Sequence, residues 1–271
     1  MSQSFSAFVI NMKRNPERLD FMTKQLDAAD IEFSVQEGFD GKTYDFSKEY
    51  DESAAIILNG STLTPSEKGC ALSHRRILET ITQKNIEYTL ILEDDVEIPT
   101  NFKSIIEELI INNKKKKVWE YLSFNYPYVG LRYIQLWLYL MKNKYKEDRT
   151  LSNILKTPIY FFKFILVSIF SLYEGFREHF YKKKSHTGKP VTFYRPLYLA
   201  GCYLIHQEGA KKILSLGGKI IYPADRVQNI ARFKKNLRVR AFCPMIVRQR
   251  RDKFKSTLND QDLSGVMGIL V

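Results

Sequence analysis

FSAFVINMKRNPERLDFMTKQLDAADIEFSV, residues 5–35, decides the expected architecture. Phe5–Ile10 is an apolar-rich run of strand length and reads as a buried strand. Asn15 stands before Pro16, Glu17 and Arg18, the order of a helix start: a cap residue, then proline in the first turn, where its missing N–H costs nothing. Leu19, Met22 and Leu26 recur at helical spacing, and Ile31–Val35 reads as a second strand. Strand, helix and strand in direct succession predict a βαβ unit and a parallel sheet.

Further along, residues 37–62 are mixed and loop-rich. Thr64-Pro65-Ser66-Glu67 is a capping box with proline at the first helical position, and the helix it starts runs to about Lys84. Ala71, His74, Leu78 and Ile81 share one face of that helix, its core side. Tyr88–Leu92 is the next strand. It ends in Glu93, Asp94 and Asp95, and Pro99 stops further pairing. Tyr194–Ile205 resumes β character, Gly209–Leu216 reads as a short helix closed by Gly217-Gly218, and Ile220–Asp225 is strand-like and ends in an acid. The expected fold is α/β: a mixed, mainly parallel sheet flanked by helices. Residues 112–190, rich in Tyr, Phe and Lys and without glycine between Gly130 and Gly175, read as a largely helical insertion between parts 1–111 and 191–271.

The 271 residues carry a formal net charge of +12, unevenly spread. Residues 1–113 hold 11 basic and 20 acidic side chains; residues 114–189 hold 16 and 5; residues 226–255 hold 11 and 1. The two basic blocks call for an anionic partner. Cys70, Cys202 and Cys243 have neither disulfide-framework nor zinc spacing and read as small core residues, in keeping with a reducing cytosol. The start, MSQSFSAFVINMKR, lacks the apolar core of a signal peptide. The longest apolar run, Ile154–Tyr173, is interrupted by Lys156, Pro158 and Lys163, and is expected to form a buried or interface-lying helix rather than a membrane span.

Three adjacent carboxylates after an apolar strand repel one another unless a positive group sits among them. Strand alternation predicts Glu93 and Asp95 on one side and Asp94 on the other. Two oxygen donors on one side suit a hard divalent cation, Mg²⁺ or Mn²⁺. The competing reading is a solvated turn with one acid capping the next helix.

Five strings, FVINMKRNPERLDFM, LTPSEKGCALSHRRILE, YTLILEDDVEI, YLAGCYLIHQEGAKKI and IYPAD, resemble in this order glycosyltransferase family 25, the bacterial enzymes that extend lipooligosaccharide, often as β-1,4-galactosyltransferases. They cover most of residues 5–110 and 194–226. The resemblance implies a GT-A-like, Rossmann-like fold whose residues 1–111 bind a nucleotide sugar. It also implies inverting, metal-dependent transfer of a hexose, galactose first, from a UDP-sugar to a glycan hydroxyl. Glu93 and Asp95 would hold Mn²⁺ or Mg²⁺, and Asp94 would reach the donor's ribose or sugar hydroxyls. Asp225 is the candidate general base, with two alternatives: a cap for the helix beginning near Arg226, or a second metal ligand. His74 is either a core histidine or a contact in the cleft. Asn11, Arg14 and Arg18, at the start of the first helix, are candidate donor contacts through phosphate or base, or else surface charges. Glu67 is read as the capping acid.

The implied acceptor is a lipid-linked oligosaccharide at the inner face of the bacterial inner membrane, with the protein cytoplasmic and peripheral. Trp119, Tyr121, Tyr126, Tyr128, Tyr133, Trp137 and Tyr139, interleaved with Lys and Arg, suit headgroup depth at an anionic surface. The alternative is a helical subdomain that packs on itself or on a second copy as a homodimer. Three other functions compete with this one, and a sugar-binding scaffold without activity is disfavoured by the intact acid cluster. A nucleic-acid binder fits the basic blocks, but no recognised motif is present and the acidic front opposes a phosphate backbone. A metal-dependent phosphohydrolase fits the acids, but the four histidines are scattered.

Overall fold

The computed structural model describes residues 3–126, 165, 168–181, 188–194, 196–250 and 252–254. Strand β1 (Ser6–Asn11) lies between two parallel neighbours, β2 (Ser34–Glu37) and β3 (Tyr88–Glu93), and helix α1 (Pro16–Ala28) connects β1 to β2. The opening is therefore the expected βαβ unit, although β2 begins at Ser34 and Ile31 is buried ahead of it. Helix α2 (Glu52–Asn59), capped by Asp51, lies within the stretch read as loop. Helix α3 (Pro65–Gln83) starts at the capping box: Thr64 Oγ1 accepts from Glu67 N at 3.2 Å, and Glu67 Oε2 accepts from Thr64 N at 2.8 Å.

After β3 come β4 (Val96–Glu97), α4 (Phe102–Lys116), β5 (Tyr121–Ser123) and a helix over residues 168–181, here α5. Then follow β6 (Lys189–Val191), β7 (Cys202–His206), α6 (Gln207–Leu214), α7 (Val227–Lys234), β8 (Val239–Cys243) and β9 (Arg248–Gln249). The main sheet has the order β2-β1-β3-β7-β5-β8-β6. Only β7 and β6 run against the other five, so the sheet is mixed and mainly parallel, as expected. Strands β4 and β9 form a separate antiparallel pair.

The core lies on both faces of the sheet. Leu90 and Leu92 pack with Met22 and Leu26 of α1, while Ile91 packs with Ile77, Leu78 and Ile81 of α3. Each of these large side chains, once buried, contributes about 1.5–3 kcal/mol before entropy is counted. Burial on both faces is why β3 reads as a continuous apolar run.

Four expectations change. The stretch 112–190 supplies β5 and β6 to the main sheet, so cuts at 112 and 190 do not divide that sheet. Trp119, Tyr121 and Tyr126 are core residues, not headgroup ones: Tyr121 belongs to β5, whose three residues are all buried, and Trp119 and Tyr126 are buried on either side of it. Tyr128, Tyr133, Trp137 and Tyr139 lie outside the described residues, as does most of Ile154–Tyr173. Strand character in Tyr194–Ile205 is confined to its end, β7. Ile220–Asp225 makes a single bridge, Ile220 to Tyr50, and then turns, because Pro223 has no N–H to offer a ladder. Among the described residues, no helix is long and apolar enough to cross a membrane.

Helix α3 meets the 39–41 loop at Gly69, where a Cβ would stand 2.2 Å from Phe39 O. Ser73 ties the contact: its Oγ donates to Gly69 O at 2.7 Å and accepts from Phe39 N at 3.0 Å. Gly69→Ala is expected to destabilise the protein by about 1–3 kcal/mol, an overpacking cost. Urea unfolding of the variant checks this; a midpoint equal to wild type would mean that the loop does not press on α3.

Candidate functional site

Strands β1 and β3 are parallel, so their C-terminal ends open on the same edge of the sheet, where open α/β sheets bind ligands. Ile10 stands opposite Glu93 in register, which makes Asn11 and the acidic turn neighbours.

The alternation that sends Leu92 towards α1 and Ile91 towards α3 continues for two more residues. Glu93 faces α3: its Oε1 lies 3.3 Å from His74 Nε2 and 3.8 Å from Cys70 Sγ. Its Oε2 accepts from Gln249 Nε2 at 3.1 Å. Asp94 faces α1: Oδ2 accepts from Asn11 Nδ2 at 2.8 Å and Oδ1 from Arg18 Nη1 at 3.0 Å, all buried. Then the strand ends, and alternation ends with it. Asp95 Oδ2 lies 4.0 Å from the same Arg18 Nη1, on Asp94's side rather than Glu93's. Arg18 is thus a positive partner for the acidic turn, and it comes from within the chain.

Burial raises the Glu93 carboxyl, but the hydrogen bond and field of His74, with bonds from Cys70 and Gln249, outweigh it and leave the group below the usual carboxylate range. Burial also raises Asp94, and there it outweighs the opposing bonds from Arg18 and Asn11. His74 is both a core residue and a site residue: it is buried, its Nδ1 lies 3.0 Å from Tyr203 Oη, and the two rings stack. Asp225 lies in the turn before α7. That helix is capped at Arg226 without a side-chain bond, so Asp225 is not used as its cap. Burial, then the charges of Glu67 and Glu93, push Asp225 up to about 6 against the pull of Arg226. The same two acids, Glu93 and Asp225, act on the Cys70 thiol, which burial has already pushed up. Glu67, while capping α3, therefore also contributes charge to the site.

Arg14 is not drawn in: it pairs with Asp40 and is half exposed. Reading the sequence missed Cys70, Tyr203, Tyr121 and Gln249. Cys70 and His74 stand four apart on α3, a spacing that puts both on one face and was there to be seen. Tyr203 on β7 and Gln249 on β9 gave no local signal. Tyr121 stacks on Tyr203 with centroids 4.6 Å apart, and its buried hydroxyl has no hydrogen-bond partner among the described residues.

The donor set fits a divalent cation around Glu93. Among the described residues, Cys70, His74 and Glu93 bring their ligand atoms within 4.8 Å of one another. Asp95, the expected companion of Glu93, is not in that group.

The model of the family described as glycosyltransferase family 25 (LPS biosynthesis protein) matches residues 5–228. Procollagen galactosyltransferase 2 of Homo sapiens is 29% identical over 136 residues, which are 48% of this chain and 21% of that protein. The probable inactive glycosyltransferase 25 family member 3 of Rattus norvegicus is 30% identical over 133 residues, 47% of this chain and 23% of that one. This chain thus spans under a quarter of the length of these curated relatives. A crystal structure of a glycosyltransferase involved in glycosylation of the major capsid of PBCV-1 aligns over 89% of this chain and 82% of its own, at 10% identity and a TM-score of 0.38, too loose a likeness to carry an argument.

If Arg18 balances Asp94, then Arg18→Ala leaves a buried carboxylate without its cation and destabilises the protein by about 3–5 kcal/mol. Asp94→Asn, which keeps the shape and drops the charge, costs less. Chemical denaturation of both variants at neutral pH checks the order; the reverse order removes Arg18 from this role.

Proposed function

Because this chain belongs to glycosyltransferase family 25, we propose that it transfers a hexose, galactose first, from a UDP-sugar to a hydroxyl of a lipooligosaccharide or related glycan, with inversion. The observation that carries the reading is the acidic edge of the sheet where β1 and β3 end: Glu93 closes β3 there, and its charge helps burial push the Asp225 carboxyl up to about 6. Such a group is ionised at neutral pH yet still basic enough to take a proton from an acceptor hydroxyl. Inversion needs that proton removed and needs no nucleophilic side chain.

In this reading Asn11 and Arg18 act by fixing Asp94 and the turn, and Arg14 would have to leave its pairing with Asp40 to meet a diphosphate. A divalent cation, Mn²⁺ or Mg²⁺, would take Glu93 as its carboxylate, with Asp95 joining only by turning from Arg18, 4.0 Å away; when bound it would neutralise charge on the departing UDP. His74 orients Glu93 through their 3.3 Å contact. Contact with a membrane surface is favoured by α5, which exposes Ile169, Tyr173 and Phe176; a lipid-linked acceptor at the inner membrane face belongs to the same proposal. The nucleic-acid and phosphohydrolase readings gain no structural observation.

The test is UDP release from UDP-galactose and other UDP-hexoses, with and without glycan acceptor and divalent metal. Acceptor-stimulated, metal-dependent release is expected, with kcat/KM falling on the acid side of the profile as Asp225 protonates. Asp225→Asn is expected to stop turnover while UDP-sugar affinity holds. Wild-type turnover in that variant removes Asp225 as base, and release of UDP from no sugar donor removes the transfer reading.

Stability gives a separate check on Asp225. Its folded pKa, about 6, lies above its ordinary 3.8, so its contribution is fully present below the ordinary value and lost as pH rises through about 6. Asp225→Asn is therefore expected to melt higher than wild type at pH 8 and not at pH 4. Equal melting temperatures at both would mean that the carboxylate is not strained by burial.

A further inference from the structure

We propose that Cys70, His74 and Glu93 form a binding centre for a borderline-soft divalent cation of the Zn²⁺ class. The inference rests on geometry alone and not on the transfer reading.

The three ligand atoms, a sulfur, a ring nitrogen and a carboxylate oxygen, lie within 4.8 Å of one another, with 3.3 Å between His74 Nε2 and Glu93 Oε1 and 3.8 Å between Cys70 Sγ and the same oxygen. Metal–ligand bonds of about 2.0–2.3 Å in a tetrahedral centre set the donors roughly 3–4 Å apart, so little movement is needed to close on an ion. Each of the two polar ligands is also held from behind. His74 Nδ1 meets Tyr203 Oη at 3.0 Å, and Glu93 Oε2 accepts from Gln249 Nε2 at 3.1 Å. These are the outer contacts that orient imidazole and carboxylate towards a metal while leaving the near atom for it. A neighbouring pair on α3 supplies two of the donors, so the centre is largely built by one rigid element.

Sulfur and nitrogen donors select against Mg²⁺ and Ca²⁺, which prefer oxygen, and favour Zn²⁺ or Co²⁺. On binding, Cys70 coordinates as thiolate and its proton passes to solvent. Three protein ligands leave a fourth position for water or a bound molecule. Glu93 is also a carboxylate offered to the hard cation in the transfer reading, so the two ions compete for it.

Co²⁺ titration of the metal-free full-length protein tests the centre. A thiolate-to-cobalt charge-transfer band in the near ultraviolet is expected, displaced by Zn²⁺ and absent from Cys70→Ser. Cys202 and Cys243 are buried in the core and serve as internal controls. In the wild-type protein, alkylation of Cys70 is expected to slow about tenfold or more when Zn²⁺ is added. Folded wild-type protein with no band, a band that persists in Cys70→Ser, or alkylation unaffected by Zn²⁺ each overturns the proposal. Neither readout requires turnover, so failure here leaves the transfer reading intact, and failure of transfer leaves this centre intact.

Discussion

The site depends on one buried carboxylate. Asp94 is gripped from two directions, by Asn11 at the end of β1 and by Arg18 in the first turns of α1. An ionised acid at that depth is costly unless it is paired and hydrogen-bonded. Supplying both partners locks the end of β1, the start of α1 and the end of β3 into one unit. The direction of the residues on either side, Glu93 and Asp95, follows from that lock. Asn11 adds a further tie, since its Nδ2 also reaches Asn15 O at 3.0 Å, across the turn that leads into α1.

With Asp94 spent on structure, the three acids have different surroundings. Glu93 looks into a layer of α3 and β7 side chains, His74, Cys70 and Tyr203. Asp95 looks towards Arg18. The C-terminal segment then closes around the turn. β9 pairs with β4, Arg250 N donates to Asp95 O at 2.7 Å, and Gln249 reaches Glu93. Phe254 lies 5.2 Å from the Arg18 guanidinium and edge-on to Phe21. A change in residues 248–254 is therefore felt at the acids, although they lie more than 150 positions earlier in the chain.

The charge blocks resolve unevenly. Part of the first is structural: Lys114 pairs with Glu87, and buried Glu120 is held by Lys212 and Arg238 from elsewhere in the chain. In α5 the burial is inverted, with Ser171, Glu174 and Glu178 inside and Ile169, Tyr173 and Phe176 outside. The polar inner face is tied to its neighbours, Glu174 Oε1 accepting from Tyr194 N at 3.1 Å. Such a helix is not explained by core packing, and an apolar face of this kind is where a peripheral protein would meet another surface.

What the sequence determined by itself is local. The capping box of Thr64 and Glu67, the proline in the first turn of α1, the apolar run of β3 and the core side of α3 all depend on residues within a turn or two of one another, and each is found where it was read. The pairing of the acids was not legible. Alternation predicts directions only while the backbone stays extended, and it gave way at the turn after Asp94. Arg18 reaches Asp94 across 76 positions and Gln249 reaches Glu93 across 156. No periodicity in a single chain encodes such contacts. They exist because the parallel order β2-β1-β3 and the late β4–β9 pairing bring distant segments to one edge, and only the folded sheet makes that choice.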